Sequence, residues 1–374
     1  MKRFNEGEAP LTDGGGAPLQ LTSGGPGARL IAEMPKAELH LHLDGSLRVT
    51  TALELAATRD VDAPRTYAEM FAALVWDPHP TSQANLLRAF ELPVALMQDA
   101  EALERVTIEL IEAKASDNVE YLEIRWAPLL HIQRGLSDAE AIEAVCRGRR
   151  EGMRRTGATV GLICVAVRSH PPEDNRRLAA LAADYQDEGV VALDLAGLEA
   201  HYPDPLDHRA AFEVAAAAGL RTTVHAGELQ DGGAGVRRAL ELGVPRVAHG
   251  ATAIADPQLC ADLRAREVTL DVCPTSNVQA ATFARLEDHP VAALHRLGVP
   301  VSISTDDPTI SNITLSEELV AVSAATGLTL PELWRINLHG LDVAFVEPDR
   351  ASELRARFRR WADWAPELAP ADAE

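Results

Sequence analysis

His40 and His42 stand two apart in HLHLDG, the spacing that sends both imidazoles to one face of a β-strand. Two imidazoles side by side inside a protein compete for donors unless something takes their lone pairs, and a divalent metal does so directly. VHAGE adds His225, and STDDP adds Asp306 or Asp307, so three ring nitrogens and a carboxylate are available with no thiolate. That donor set suits Zn2+, and Fe2+ and Co2+ are admissible on the same grounds. A catalytic metal of this kind lowers the pKa of a bound water to about 7, which supplies hydroxide at neutral pH. Glu228, three residues beyond His225, stands where it can deliver or accept a proton, and His249 can orient the attacking water or take its proton. Asp306 and Asp307 leave one strand end in different directions, so one serves a metal and the other a substrate. A glycosidase-like carboxylate pair is the competing chemistry, but it gives the histidines on other strands no task.

Those side chains need a frame that brings distant strand ends together. Eight short apolar, β-branched runs fall at 37–45, 120–128, 159–167, 190–197, 221–228, 246–252, 269–277 and 301–308, separated by segments of helical period. Repeated βα units in that number predict an α/β fold, the (β/α)8 TIM barrel. An open doubly wound sheet would carry a Gly-rich phosphate turn after its first strand, and none is present. Residues 46–119 are too many for one crossover helix, so a helical insertion follows the first strand, with one helix expected over 81–97. His40, His42, Asp44, Gly197, His225, Glu228, His249, Asp306 and Asp307 all lie at or just past a strand's carboxyl end, the face where barrels carry their chemistry. Residues 31–365 therefore read as one domain. The Gly-rich stretch 1–30 and the stretch 366–374 read as tails without a hydrophobic period.

Composition narrows the partners. Across 374 residues, 35 Lys and Arg against 56 Asp and Glu leave a net charge of −21, which repels nucleic acid and anionic membrane surfaces. The one dense basic run, residues 147–155, reads as a solvated helix face. Four scattered cysteines form neither a disulfide framework nor a CxxC site, and Cys273 reads as a small core residue rather than a nucleophile. With no bilayer-length apolar run and no signal-peptide h-region at the start, a cytoplasmic protein is expected.

PKAELHLHLDGSL, VHAGE, AHG, CPTSN and STDDP, in that order over about residues 34–346, resemble the adenosine deaminase branch of the metal-dependent amidohydrolases. The resemblance implies a barrel with one zinc per chain and a reaction that replaces a purine 6-amino group by oxygen, releasing ammonia. It further implies that His40, His42, His225 and Asp306 are the zinc ligands, that Glu228 protonates purine N1, and that His249 positions and deprotonates the zinc water. By the same likeness Asp307 holds N7, the Gly197 amide reaches N3, Asp44 contacts a ribose hydroxyl, and Leu86, Leu87 and Phe90 cover the nucleoside. Two-metal relatives typically carry a modified lysine at the end of strand four, and VVALDLAG has none, which implies a mononuclear site. The family commonly reads LAGDE where this chain reads LAGLE, so Leu198 removes a carboxylate beside the N3 contact. A small-molecule purine nucleoside is thus the expected partner. Adenine and aminodeoxyfutalosine are the alternatives within the same chemistry; Ala248, where related adenine deaminases often have Asp, favours a nucleoside. A catalytically silent binding barrel is disfavoured because every metal and acid-base position is retained.

Overall fold

Eight parallel strands pair in chain order. They are β1 (Lys36–His42), β2 (Val119–Trp126), β3 (Thr159–Val167), β4 (Val190–Ala196), β5 (Arg221–Ala226), β6 (Arg246–His249), β7 (Thr269–Val272) and β8 (Val301–Ile303). The computed structural model describes residues 25–76 and 79–368. The ring closes where Leu41 bridges to Asp306, with His42 N–H donating to the Asp306 carbonyl at 2.8 Å and Asp306 N–H to the His40 carbonyl at 3.1 Å. Closure of the barrel thus sets Asp306 directly against the histidine pair of β1.

The strands begin where the apolar runs begin, within a residue, but several stop early. β6 ends at His249, β7 at Val272 and β8 at Ile303, whereas the sequence suggests 252, 277 and 308. The residues after them turn: His249 and Asp306 adopt φ values of 64° and 63°, a left-handed conformation unusual for side chains with a Cβ. Such strain persists where surrounding structure over-determines it, and here it falls on two of the candidate site residues.

Parallel strands covered by helices are buried on both faces, which is why β3 reads as the continuous run TVGLICVAV. Inside the barrel, charge replaces part of the apolar filling. Arg246 on β6 pairs with Asp271 of β7 at 3.0 Å and with Glu123 of β2, and from a helix outside the strands Lys114 reaches Glu38 of β1 at 2.9 Å. Removing one partner of such a buried pair strands a charge, at a cost of about 3–5 kcal/mol.

Helix α1 (Pro26–Glu33) precedes the barrel, and the Lys36 ammonium caps it by donating to the carbonyls of Ile31 at 2.9 Å and Met34 at 3.0 Å. Ile31 and Met34 are fully buried. Residue 30 is therefore not the edge of the folded chain: the expected N-terminal tail overlaps α1 over 26–30, because an apolar face there has a core to join. Residues 1–24 lie outside the described residues. At the other end the turn Pro366–Leu368 buries Leu368, while 369–374 lie outside the described residues.

The insertion after β1 contains α2 (Val49–Thr58), α3 (Tyr67–Leu74), α4 (Gln83–Leu87), α5 (Glu91–Leu96) and α6 (Ala100–Ser116). The single helix expected over 81–97 is two short helices joined by a 3-10 turn at Arg88–Phe90. Pro93 has no N–H to continue the ladder and crowds the carbonyl four residues back, which accounts for the break. The basic run lies on α7 (Asp138–Thr156), where Arg147 pairs with Glu104 and Arg155 with Glu112 and Glu151, so it is an ion-paired outer face. Among the described residues no helix is long and apolar enough to cross a membrane.

Candidate metal and acid-base site

Four ligand atoms converge at the carboxyl end of the barrel. His40 Nε2 and His42 Nε2 each lie 3.1 Å from His225 Nε2, and Asp306 Oδ1 lies 3.1 Å from His40 Nε2 and 3.4 Å from His42 Nε2. The protons of two of these rings are spoken for on the far side. His40 Nδ1 faces the Asp271 carbonyl at 3.3 Å, and His225 Nδ1 faces Asp194 Oδ2 at 3.0 Å; both partners are acceptors. Each Nδ1 therefore carries hydrogen, and both Nε2 atoms present lone pairs to one another. Burial pushes His40 well below its ordinary pKa and His42 down to about 4, so protonation does not relieve the crowding. A cation does. Ligands about 2.0–2.1 Å from a tetrahedral zinc lie about 3.3 Å apart, which matches the spacing of these four atoms. Asp306 is held with Oδ1 inward because Ser276 Oγ donates to Oδ2 at 2.7 Å.

Asp194 is the support of this group. It accepts from His225 and pairs with Arg125 Nη1 at 3.0 Å, with all three side chains enclosed. A carboxylate behind a ligating histidine fixes ring and tautomer, the usual outer partner of a metal site.

His249 lies next to the ligands, its Nε2 3.5 Å from Glu228 Oε1 and 3.7 Å from Asp306 Oδ2. Its tautomer follows from a chain that begins at a backbone donor. Val291 N–H donates to His289 Nδ1 at 3.3 Å, so His289 Nε2 holds the proton and donates to Asn277 Oδ1 at 3.2 Å. The Asn277 amide then turns its NH2 to His249 Nδ1 at 3.1 Å, and neutral His249 carries its proton on Nε2, toward the site. Burial lowers the His249 pKa to about 3.

Glu228 is buried, and burial, then the nearby Glu199 and Asp306 carboxylates, push its pKa well above the usual range. Oε2 accepts from Gln83 Nε2 at 2.8 Å. Asp307, the next residue after Asp306, has its Oδ1 buried without a partner and packed on Gly45. A Cβ at Gly45 would fall 1.9 Å from that oxygen, so glycine is required there by the close approach. Asp44 is buried beside His42 and His131, with Oδ1 also unpartnered. Gly197, the residue after β4, has φ 126°, a conformation open to glycine, and packs against Arg168.

Of the three expected apolar contacts, Leu86 and Phe90 share a small cluster with Ala89, Ala280 and Ile310, and the Phe90 ring stands edge-on to His42 at 6.2 Å between centroids. Leu87 is different. One step round the short helix from Leu86, it is exposed. Asp194, Arg125, Asn277, His289, Glu199 and Gln83 carry no role in the sequence reading. A charge inside an apolar strand marks the first two, whereas nothing local marks Gln83.

The model of the adenosine deaminase family matches residues 35–361. An adenosine deaminase of Clostridium perfringens is 36% identical over 328 residues, covering 87% of this chain and 98% of that one. An amidohydrolase from Burkholderia ambifaria, determined with bound zinc, superposes with a TM-score of 0.84 at 28% identity, covering 91% of this chain and 94% of the other. The N6-mAMP deaminase of Arabidopsis gives 0.79 at 26% identity, with 89% and 99% covered.

Proposed function

The chain belongs to the adenosine deaminase family, and on that premise we propose that it deaminates a purine nucleoside, adenosine or deoxyadenosine, with one zinc ion. Hydrolytic deamination of an adenosine-type substrate is the reaction: water adds at C6, the C6–N bond breaks, and inosine-type product and ammonia leave. The donor set takes a divalent metal, and three imidazoles with one carboxylate favour zinc among the candidates. His40, His42, His225 and Asp306 hold it, and when bound it makes hydroxide available near neutral pH.

The protein's own residues supply the remaining chemistry. Purine N1 is an acceptor, so the group that meets it must bring a proton; Glu228 does so, drawing electron density from C6. N7 is likewise an acceptor, so Asp307 must meet it as the protonated acid; burial, then the Asp306 and Asp44 carboxylates, push its pKa well above the usual range, and its Oδ1 is unpartnered. His249 directs an Nε2–H at the attacking oxygen and orients it, the task its tautomer favours over proton abstraction. The Gly197 amide meets N3, and Asp44 binds a ribose hydroxyl. Phe90 and Leu86 keep bulk water from the reacting carbon, while Leu87 contributes to the outer surface of the same short helix. A carboxylate at the sugar end disfavours a phosphate there, which selects the nucleoside over the nucleotide.

The observation that carries this reading is the cluster of bare Nε2 and Oδ1 atoms beside a buried glutamic acid. The test offers zinc-loaded protein adenosine, deoxyadenosine, AMP, adenine and 5′-extended adenosines while ammonia is followed. The nucleosides should have the highest kcat/KM; a preference for adenine or AMP over both would overturn the substrate assignment.

A further inference from the structure

Glu228 has two oxygens, and only one of them is free to face a substrate. Oε2 accepts the hydrogen bond from Gln83 Nε2 at 2.8 Å, while Oε1 is the oxygen 3.5 Å from His249 Nε2. The amide of Gln83 is oriented by a donor that admits no choice: the backbone N–H of Glu199 donates to Gln83 Oε1 at 3.1 Å, so the NH2 must point to Glu228. The same loop doubles the connection, since the Glu199 carboxylate accepts from Gly227 N–H at 3.2 Å and Glu228 N–H at 3.4 Å. Thr282 Oγ1 donates to the Glu228 carbonyl at 2.8 Å and fixes the backbone from the other side.

Gln83 opens α4, with Ser82 as its N-cap, accepting from Asn85 N–H at 3.2 Å. Three residues on is Leu86, and seven on is Phe90, whose ring stands over His42. The side chain is 5% exposed, although it belongs to a five-residue helix at the edge of the barrel mouth. A glutamine placed there for solubility would project outward. This one spans from the insertion to the β4 loop and to the acid.

We infer that Gln83 is a positioning residue for Glu228: it occupies Oε2, reserves Oε1 as the oxygen that carries the proton toward the substrate, and makes this arrangement depend on α4 being seated over the site. The inference rests on the acid role proposed for Glu228. A proton on Oε2 would compete with the N–H of Gln83 for the same direction, whereas the one donor near Oε1, His249 Nε2–H, stands off at 3.5 Å. Seating of α4 brings the apolar cover and the correctly turned carboxyl at the same moment, so proton delivery and water exclusion are coupled through one amide.

Steady-state kinetics of the zinc-loaded full chain on adenosine test this with Gln83→Met, Gln83→Glu, Glu228→Gln and the double variant Gln83→Met with Glu228→Gln. Gln83→Met keeps the shape and loses both hydrogen bonds; kcat should fall roughly 10- to 100-fold, with KM changed less than about threefold and zinc content unchanged. Gln83→Glu keeps the acceptor for Glu199 but replaces the donor to Glu228 Oε2 by a carboxylate that draws the Glu228 proton to that side, and should lose at least as much. In the Glu228→Gln background the Gln83→Met change should cost less than about threefold, because the group it acts through is gone. An equal factor in both backgrounds, or unchanged kcat in both single variants, would overturn the inference. Near wild-type turnover by Glu228→Gln alone would instead overturn the acid assignment on which it stands, and the two failures are thereby told apart.

Discussion

Asp194→Asn isolates what the buried carboxylate behind the ligands contributes. Three donors converge on that side chain: His225 Nδ1 at 3.0 Å, Arg125 Nη1 at 3.0 Å and the Leu195 amide at 2.7 Å. Burial alone would raise the Asp194 pKa, but His225 and Arg125 outweigh it and keep the carboxylate ionised. Asparagine retains one acceptor oxygen and turns an NH2 toward groups that already donate. Two separable losses follow. His225 no longer has a fixed Nδ1–H partner, which should weaken zinc binding about 10- to 100-fold, the usual worth of an outer carboxylate. Arg125, fully buried, keeps only its bond to the Leu39 carbonyl, so the metal-free fold should lose about 3–5 kcal/mol. Zinc affinity by competition with a chelator and urea unfolding of the stripped protein measure the two separately. Adding Arg125→Met removes the stranded charge and should restore part of the stability while leaving zinc affinity low. Wild-type zinc affinity in Asp194→Asn, or recovery of affinity by the second change, would refute the reasoning.

Three other outcomes follow from single contacts. Glu318 is buried and accepts from Thr275, and burial raises its pKa to about 7 from an ordinary 4.5; the unfolded chain therefore ionises it first, and stability is lost as pH rises between those values. The loss amounts to about 3 kcal/mol above pH 7, so Glu318→Gln should unfold at higher urea than wild type at pH 8 and at equal urea near pH 4.5, and equal midpoints at pH 8 would reject it. Gly45→Ala should lower kcat/KM for adenosine about tenfold or more at unchanged zinc content, because its Cβ displaces the Asp307 carboxyl; an unaffected rate would show that Asp307 does not meet the purine. Asp44→Ala should cost about 1–3 kcal/mol in kcat/KM on adenosine and scarcely alter any turnover of adenine, and equal losses on both would remove the ribose contact.

The convergence of His40, His42, His225 and Asp306 was legible because the signals were periodic and positional: HxH on a strand shares a face, and a histidine or aspartate past an apolar run lies on the barrel rim. Element ends were not. The segments beginning AHG, CPTSN and STDDP look like strand continuations, but left-handed residues at His249, Gly250 and Asp306 stop the first and the last, where bonds to β5 and β1 hold the turn, and Pro274 opens a short helix in the second. The break in 81–97 is signalled by Pro93, which cannot continue a helix ladder. Asp194 and Arg125 stood out as charges in apolar strands, yet their pairing needs the barrel to bring β2 against β4's inner face. Gln83 was invisible, since its meaning lies in two partners, Glu199 and Glu228, more than a hundred residues away. Helix α1 was hidden in a Gly-rich start because its two buried anchors, Ile31 and Met34, are too few to set a period.

On the function proposed, one metal ion, held by His40, His42, His225 and Asp306, makes this barrel a nucleoside deaminase. Adenosine deamination by chelator-stripped protein, followed as zinc is added in known increments, tests it most directly. The rate should start near zero, rise in proportion to zinc and level off at one equivalent per chain, with His225→Ala remaining inactive over the same titration. Full activity in the stripped protein, a plateau at two equivalents, or normal activation of His225→Ala would contradict it.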